Sequence, residues 1–276
     1  MERFVVVETA AELASLSPDH VLGNGSNLLA PDTGIPGTTV RLAGEFRNVT
    51  TLGGPPERGG VRVGAGVANA VLLSRLSKAG LAGAGVLAGV PGTMGGAVAM
   101  NAGTALGEIS EVVVAVDGIR DGKIVRVGRE QLPMKYREGG LPTGLVVTHV
   151  ELALNSVNVA MEQERVATHL ARRRGTQPLD LPSCGSVFRN PPGDAAGRLI
   201  ESVGLKGFRV GDAQISERHA NFIVNLGDAA ASDVMRCIRT AWETVLNETG
   251  ISLQPEVHVL GDWPENVWPF PGVAVI

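Results

Sequence analysis

Short apolar runs and one helical stretch alternate along the first fifty residues of the chain. Phe4–Val7 is uniformly apolar and flanked by charged residues, which predicts a short buried strand. Thr9–Leu16 has apolar residues at helical spacing, and its first residue is a possible N-cap. His20–Leu22 and Thr38–Leu42 again have strand character. The pattern therefore predicts a compact βαβ beginning.

Two longer segments show a helical period. In Asn69–Ala79 and Ala231–Glu248, apolar residues recur every three or four positions, so each predicts an amphipathic helix. Gly80 and Gly250 follow them at the position of a helix C-cap. The positions predicted to share an apolar face are Val71, Leu72, Leu76 and Ala79 in the first helix and Val234, Ile238, Ala241 and Val245 in the second. Helical composition also marks 159–174 and 195–203.

The remaining apolar runs predict strands. Val112–Asp117 and Lys123–Val127 flank the sequence GIRDG and are typical of a hairpin. GGPPERGG at 53–60 indicates another loop or hairpin connection. Further strands are predicted at 145–154, 213–215, 222–225 and 254–261, and a proline-rich tail follows from residue 262.

Composition narrows the classes of protein. Among 276 residues, 37 are glycine, about 13% against the usual 7% or so, and they cluster in short motifs between ordinary aliphatic segments. This favours close approach of the main chain to a ligand over a repetitive or disordered chain. The net charge of −4 provides no general attraction to nucleic acid or to an anionic membrane, so any anion site must be local.

Cysteine content and the start of the chain indicate the compartment. The two cysteines, Cys184 and Cys237, have no zinc-ligand pattern around them, so no metal site is predicted. The sequence MERFVVVETAAELASL has early acids and no long apolar run, which indicates neither a signal peptide nor a membrane span. We expect a reduced, cytoplasmic protein that is a monomer.

Two glycine-rich stretches are candidate ligand loops. GNGSNLL at 23–29 places short polar side chains beside a row of main-chain N–H groups, an arrangement suited to a pyrophosphate or to a plain turn. It is not the G-x-G-x-x-G fingerprint, because Leu28 occupies the third glycine position. The stretch 80–108 is too apolar for a solvent loop, so it is either a tightly packed crossover or a cofactor site.

The sequence SCGSVFRNP at 183–191 is the candidate chemical centre. Gly185 removes a side chain beside Ser186 and can expose its hydroxyl, and ARRRGTQP at 171–178 concentrates positive charge before it. A proton donor beside an anion site is the first hypothesis, although arginines at a helix end more often complement the helix dipole. No G-x-S-x-G elbow surrounds this serine. Arg137, in YREGG, is either a solvated loop charge or a fork for a carboxylate.

Six motifs in order resemble one family. GNGSNLL, VPGTMGGAVAMNAG, YR, GSVFRNP with AGRLIESVGLKG, HANFIVN and PEVHVLG closely resemble the UDP-N-acetylenolpyruvoylglucosamine reductases, or MurB, over residues 4–261. The resemblance implies an α+β chain with the FAD-binding fold of the vanillyl-alcohol-oxidase (PCMH) type. It also implies FAD-binding subdomains at 1–47 and 48–174, a C-terminal substrate-binding α+β domain at 175–261, and a tail at 262–276.

The resemblance also implies a reaction and a set of site residues. In that family NADPH reduces bound FAD, and the flavin reduces UDP-N-acetylglucosamine-enolpyruvate to UDP-N-acetylmuramate for peptidoglycan synthesis. Ser186 matches the proton donor, and Arg137 and Glu256 match the pair at the substrate carboxylate. Tyr136, Arg174 and Asn190 resemble substrate-binding positions. The positions matched to FAD binding are Gly23, Asn24, Gly25, Ser26, Asn27, Leu28, Pro91, Gly92, Thr93, Gly95, Gly96, Ala97, Asn101 and Gly103.

The sequence departs from the family pattern at three points. No NTxxxGG lead-in precedes Phe4, NAGTALG has Leu106 or a neighbour in place of a tyrosine, and YREGG lacks the serine that commonly follows YR. We expect the first departure to affect flavin affinity and the third to affect the hydrogen bonding of Arg137. Two alternatives stay open: another FAD-dependent oxidoreductase of the same superfamily, and a non-catalytic nucleotide-binding protein.

Overall fold

The computed structural model describes residues 1–53, 58–155, 159–261, 263 and 270. The chain forms two compact units. The first contains Arg3–Asn24 and Gly37–Arg172 together with Met1, and the second contains Gly25–Pro36 and Arg173–Ile276 together with Glu2. The three-domain boundaries expected from the family remain a prediction.

Sixteen strands lie in the described residues. They are β1 (Arg3–Val7), β2 (His20–Val21), β3 (Leu28–Leu29), β4 (Thr38–Leu42), β5 (Val49–Gly53), β6 (Arg58–Gly64), β7 (Gly103–Thr104), β8 (Gly107–Glu108), β9 (Val113–Arg120), β10 (Lys123–Gly128), β11 (Val146–Asn155), β12 (Ser183–Ser186), β13 (Arg209–Val210), β14 (Ala213–Ile215), β15 (Phe222–Asn225) and β16 (His258–Val259).

Six α-helices accompany these strands. They are α1 (Ala10–Ser15), α2 (Asn69–Lys78), α3 (Met94–Ala99), α4 (Val159–Thr176), α5 (Ala196–Ser202) and α6 (Ala231–Thr249), with 3-10 turns at Gly44–Arg47, Gly85–Leu87, Ile109–Glu111 and Arg129–Gln131. None of the helices in the described part of the chain is both long and apolar enough to cross a lipid bilayer.

The first unit contains a parallel and an antiparallel sheet. The parallel sheet has the order β1-β4-β2, and the five-stranded antiparallel sheet has the order β10-β9-β11-β6-β5. Helix α1 begins with a capping box in which Thr9 and Glu12 bond each other's backbone N–H, as the N-cap prediction required. The predicted βαβ beginning is therefore confirmed.

Helix α2 buries a narrower face than its sequence predicted. Leu72 and Leu76 are buried in the core of the first unit, but Val71 and Ala79 are exposed, so the predicted four-residue face is wrong at those two positions. The side chain of Asn69 is buried instead, and it donates a hydrogen bond to the carbonyl of Val90. A polar residue with a backbone partner can thus occupy a core-facing position.

The hairpin β9–β10 has a shorter connection than GIRDG. Only Asp121 and Gly122 lie outside the strands, with φ of 50° and 70°. Positive φ at both central residues is the two-residue turn that matches strand twist, so the ladder continues to Arg120. The 53–60 connection joins the antiparallel strands β5 and β6, and its residues 54–57 lie outside the described part.

The second unit contains the sheet β12-β15-β14-β13 and the parallel pair β16-β3. In α6, Ile238, Ala241 and Val245 are buried as predicted, whereas Val234 is half-buried, and Gly250 ends the helix with φ of 73°. Burying one such aliphatic side chain stabilises a fold by about 1.5–3 kcal/mol.

The end of the chain differs from its prediction in two ways. The strand predicted over 254–261 is only His258–Val259, because Pro255 has no N–H to continue the ladder. In the tail, whose residues 262, 264–269 and 271–276 lie outside the described part, Phe270 is buried against Phe188 and Trp242.

Candidate functional site

A cavity in the first unit combines both glycine-rich motifs. Its lining has three kinds of surface: small residues of the motifs, apolar side chains, and two arginines. The lining residues are Val21, Leu22, Gly23, Asn24, Arg41, Leu42, Arg47, Ala65, Gly66, Thr93, Gly95, Gly96, Ala99, Leu141, Leu145, Val146 and Val147. The structure thus brings five of the predicted cofactor residues to one concave surface.

Glycines, which have no side chain, allow the two motifs to lie close together in this cavity. A Cβ on Gly23 would lie 2.8 Å from Oγ1 of Thr93, closer than real Cβ contacts. A Cβ on Gly96 would have Oγ1 of Thr93, 3.8 Å away, as its nearest neighbour, so the main chain there faces open space. Such a surface lets a flat or extended ligand approach the backbone closely.

The remaining predicted cofactor residues of the first unit are not on the cavity lining. They are Pro91, Gly92, Ala97, Asn101 and Gly103. The Asn101 side chain is buried and fully engaged: Nδ2 donates to Oε2 of Glu108 at 2.7 Å and to the carbonyl of Lys135 at 2.9 Å, and Oδ1 accepts from N of Ser110 at 3.2 Å. The prediction concerned main-chain contact with the flavin, and it stays a prediction.

Tyr136 and Arg137 form the tip of a tight turn. Lys135 and Glu138 exchange backbone hydrogen bonds of 2.8 and 2.9 Å, and the Arg137 guanidinium carbon lies 4.8 Å from the centroid of the Tyr136 ring. Arg137 has φ of 60°, a left-handed conformation that costs a residue with a Cβ about 1–2 kcal/mol. The main chain thus holds an arginine where a glycine would be less strained.

Two anchors fix this turn to the glycine-rich segment. N of Gly139 donates to the carbonyl of Ala99 at 2.9 Å, and Asn101 bonds the carbonyl of Lys135. The turn is therefore tied on both sides to the end of α3. Strained main chain of this kind persists only where the surrounding contacts determine it.

In the second unit, Ser186 follows a β-bulge. Ser183 pairs with Val224 and Ser186 with Phe222, so β12 has one extra residue relative to β15. Gly185, inside the bulge, has φ of 78°. Because side chains alternate along a strand, the extra residue reverses the face on which the next side chain lies. The half-buried Ser186 owes its direction to this insertion.

Hydrogen bonds join the segment after Ser186 to that of Glu256. N of Glu256 donates to the carbonyl of Val187 at 2.8 Å, and Nδ2 of Asn27 donates to the carbonyl of Glu256 at 3.0 Å. N of His258 in turn donates to the carbonyl of Asn27. Asn27, predicted as a cofactor residue, therefore has a contact that the sequence did not indicate: it holds the main chain of Glu256.

Asn221, in the motif HANFIVN, clamps the other side of this segment. Its Oδ1 accepts from N of Phe188 at 2.9 Å and its Nδ2 donates to the carbonyl of Phe188 at 2.8 Å, both in a buried setting. Its own carbonyl accepts from N of Val187. The motif was visible in the sequence, but the role of its asparagine depends on a partner 33 residues away.

The other predicted residues of the second unit are Gly25, Ser26, Leu28, Arg174 and Asn190. Leu28 pairs with His258 in the ladder between β3 and β16. Oδ1 of Asn190 accepts from N of Ala196 at the start of α5. Arg174 is exposed in the last turn of α4, where a cation also complements the helix dipole.

Burial sets the protonation of two groups in the second unit. It raises the pKa of the Cys184 thiol to about 11, which keeps the thiol protonated and a poor nucleophile at neutral pH. Burial, followed by the charge of Arg189, lowers the pKa of His258, so its imidazole is neutral. Among the described residues, no three His, Cys, Asp or Glu side chains gather as metal ligands.

Comparison with known proteins gives matches over both units. Residues 7–128 match the family model of an FAD binding domain, and residues 177–260 match that of the UDP-N-acetylenolpyruvoylglucosamine reductase C-terminal domain. A UDP-N-acetylenolpyruvoylglucosamine reductase of Myxococcus xanthus is 45% identical over 89% of this chain and 79% of its own. One from Symbiobacterium thermophilum is 43% identical over 91% of this chain and 80% of its own.

A solved structure supports the same relationship. The crystal structure of UDP-N-acetylenolpyruvylglucosamine reductase from Thermus caldophilus superposes with a TM-score of 0.82 at 43% identity. The match covers 95% of this chain and 92% of that one.

Proposed function

Because the chain belongs to the UDP-N-acetylenolpyruvoylglucosamine reductase (MurB) family, which confirms the predicted family and fold, we propose that it reduces UDP-N-acetylglucosamine-enolpyruvate to UDP-N-acetylmuramate. The reaction uses FAD and NADPH and belongs to peptidoglycan synthesis. The observation that carries the proposal is the hydrogen-bonded junction of the Ser186 and Glu256 segments through the carbonyl of Val187. It supports a shared site for two residues that are 70 positions apart in the sequence.

The cavity of the first unit fits FAD. Gly23 and Gly96 leave room for close approach, Val146 and Val147 give apolar surface for a ring system, and main-chain and polar groups of the motifs suit phosphate oxygens. Bound FAD supplies the chemistry of taking a hydride from NADPH and giving it to the enolpyruvyl methylene carbon. The chain's own residues have to bind the substrate, stabilise the charge that develops and supply one proton.

Arg137 is assigned to the substrate carboxylate. Addition of a hydride to the methylene carbon pushes negative charge into the carboxylate as an enolate, so a cation there stabilises the transition state more than the ground state. A guanidinium suits this role because it forms two parallel hydrogen bonds with a carboxylate. The turn that holds Arg137 in a strained conformation supports this assignment, since it presets the direction of the side chain.

Ser186 is assigned to the proton. Its Oγ gives the proton to the carbon next to the carboxylate and later regains one from solvent, so hydride and proton together convert the C=C bond to a single bond. A serine is a weak acid, but the carbanionic centre is a strong base, and fixed contact makes the transfer effective. Glu256 helps to hold or polarise the carboxylate group, and Tyr136, Arg174 and Asn190 bind the rest of the substrate. We expect the enzyme to act in the cytoplasm as a monomer.

One experiment tests the proposal. The purified chain should be yellow and should oxidise NADPH, followed at 340 nm, only when the UDP-enolpyruvyl sugar is added. Steady NADPH oxidation with oxygen alone would indicate another flavin oxidoreductase of the superfamily. Nucleotide binding without any turnover would indicate a binding protein, and either result would refute the reductase assignment.

A further inference from the structure

Two arginines on the cavity lining were not singled out by any motif. Arg41 is the exposed position of β4, between the buried residues Val40 and Leu42. Arg47 ends the 3-10 turn that begins at Gly44, directly after the buried Phe46. Both arginines therefore follow buried core residues in the sequence. Both line the cavity together with motif residues such as Asn24.

Several other arginines of the same unit are engaged within the fold. Arg62 and Arg126 form ion pairs with Asp117, and Arg129 donates to the carbonyl of Leu132. For Arg41 and Arg47, the described residues provide neither an ion pair nor a side-chain hydrogen bond.

The nearest acid in the sequence is engaged elsewhere. Glu45 lies between the two arginines, but its Oε1 accepts from N of Ala10 at 2.6 Å. The cavity therefore has two positive charges that no residue in the described part of the chain pairs, in a chain whose net charge is −4. Two unpaired guanidinium groups beside exposed main chain complement a ligand with two negative charges.

We propose that Arg41 and Arg47 bind the diphosphate of FAD and set the affinity of the chain for this cofactor over flavins without a diphosphate. The inference rests on the proposed function only in its choice of FAD as the ligand. The two phosphates of a diphosphate each carry one negative charge. They equal the two guanidinium groups in number and are opposite to them in charge. The other residues of the cavity lining are uncharged, so they do not distinguish FAD from riboflavin by charge.

The test is binding of flavin to the full chain after its flavin has been removed. Titration with FAD and with riboflavin, followed by quenching of flavin fluorescence, gives both dissociation constants. The variants are Arg41→Gln, Arg47→Gln and the double substitution. Arg75→Gln is the matched control, because Arg75 is an exposed arginine of α2 in the same unit that is not on the cavity lining.

We expect each single substitution to weaken FAD binding about tenfold, the effect of losing one charge-assisted hydrogen bond. The double variant should lose on the order of 100-fold, and its FAD affinity should depend less on salt than that of the unsubstituted chain. Riboflavin binding and the Arg75→Gln variant should stay within twofold. Arg47→Lys, which keeps the charge, should regain part of the affinity.

Three results would overturn the inference, and two of them concern the variants: FAD binding by the double variant within threefold of the unsubstituted chain, or equal weakening of FAD and riboflavin. Failure of the stripped chain to bind FAD at all would overturn it as well. Thermal unfolding of each variant checks that the fold is intact. A chain that binds FAD with this arginine dependence but does not reduce the enolpyruvyl sugar would refute the proposed reductase and support the diphosphate site.

Discussion

Substitutions of Arg137 separate two effects: the free-energy cost of its left-handed backbone conformation and the function of its guanidinium group. Arg137→Ala and Arg137→Gly both remove the guanidinium and its contact with the Tyr136 ring. They differ in one respect, because alanine keeps a Cβ at φ of 60° and glycine does not. The difference in stability between the two variants therefore measures the strain in the turn, less the free energy that glycine loses through its greater freedom in the unfolded chain.

The expected difference is small but measurable. A left-handed conformation costs a residue with a Cβ about 1–2 kcal/mol, and the greater freedom of glycine in the unfolded chain returns about 0.4–1 kcal/mol. Arg137→Gly should therefore be more stable than Arg137→Ala by about 0.5–1 kcal/mol. For a chain of this size that is roughly 1–4 °C in Tm. Loss of the cation–π contact, about 0.5–1 kcal/mol at an exposed site, is common to both variants and cancels.

Activity, unlike stability, should not distinguish the two variants. Both variants should lose about 100-fold or more in kcat/KM for the enolpyruvyl sugar, because each lacks the cation at the carboxylate. Bound flavin, read from its visible absorbance, should be retained. Equal Tm values for the alanine and glycine variants would refute the strain argument, and near-normal turnover by either would refute the role of the guanidinium.

Three further predictions concern the second unit and the histidines. Ser186→Ala should leave reduction by NADPH intact and slow reoxidation by the enolpyruvyl sugar by about 10²–10⁴; an unchanged oxidative trace in stopped flow would contradict the assignment. Asn221→Ala leaves the buried N–H and C=O of Phe188 without partners and should cost about 2–4 kcal/mol in urea unfolding, whereas a loss below 1 kcal/mol would contradict the clamp. Tm should fall as the pH drops from about 7 to 5, because burial lowers the pKa of three histidines in the folded state and the unfolded chain then binds more protons. These histidines are His149, His219 and His258. Replacing one of them with glutamine should make Tm depend less steeply on pH, and a Tm independent of pH in the unsubstituted chain would refute the argument.

Elements with a strong local period were predictable from the sequence. Helix α6 ends within one residue of its predicted bounds, because its apolar face and Gly250 are both local signals. The Thr9 cap and the strand β4 follow from local pattern in the same way. The apolar spacing did not predict burial where burial depends on residues distant in the sequence. Val71, for example, is apolar but exposed on α2.

Residues of the candidate site were predictable only where a motif marked them. Ser186 and Glu256 lie in motifs, but their junction through Val187 depends on pairing between distant segments. The bulge at Gly185 depends on the register against β15, which no local spacing specifies. Arg41 did leave a signal, since it is the charged and exposed position of β4, and its lack of a partner among the described residues becomes visible only with the fold.

The pairing of β3 with β16 determines when the second unit can be completed during synthesis on a ribosome. Leu28 pairs with His258, so the early segment waits for 230 further residues before its partner is made. At about 5–20 residues per second, this delay is on the order of 10–50 s. During that time Leu28 and Leu29 of the nascent GNGSNLL segment have not yet met their strand partner. The second unit therefore cannot be completed before residue 258 has been made.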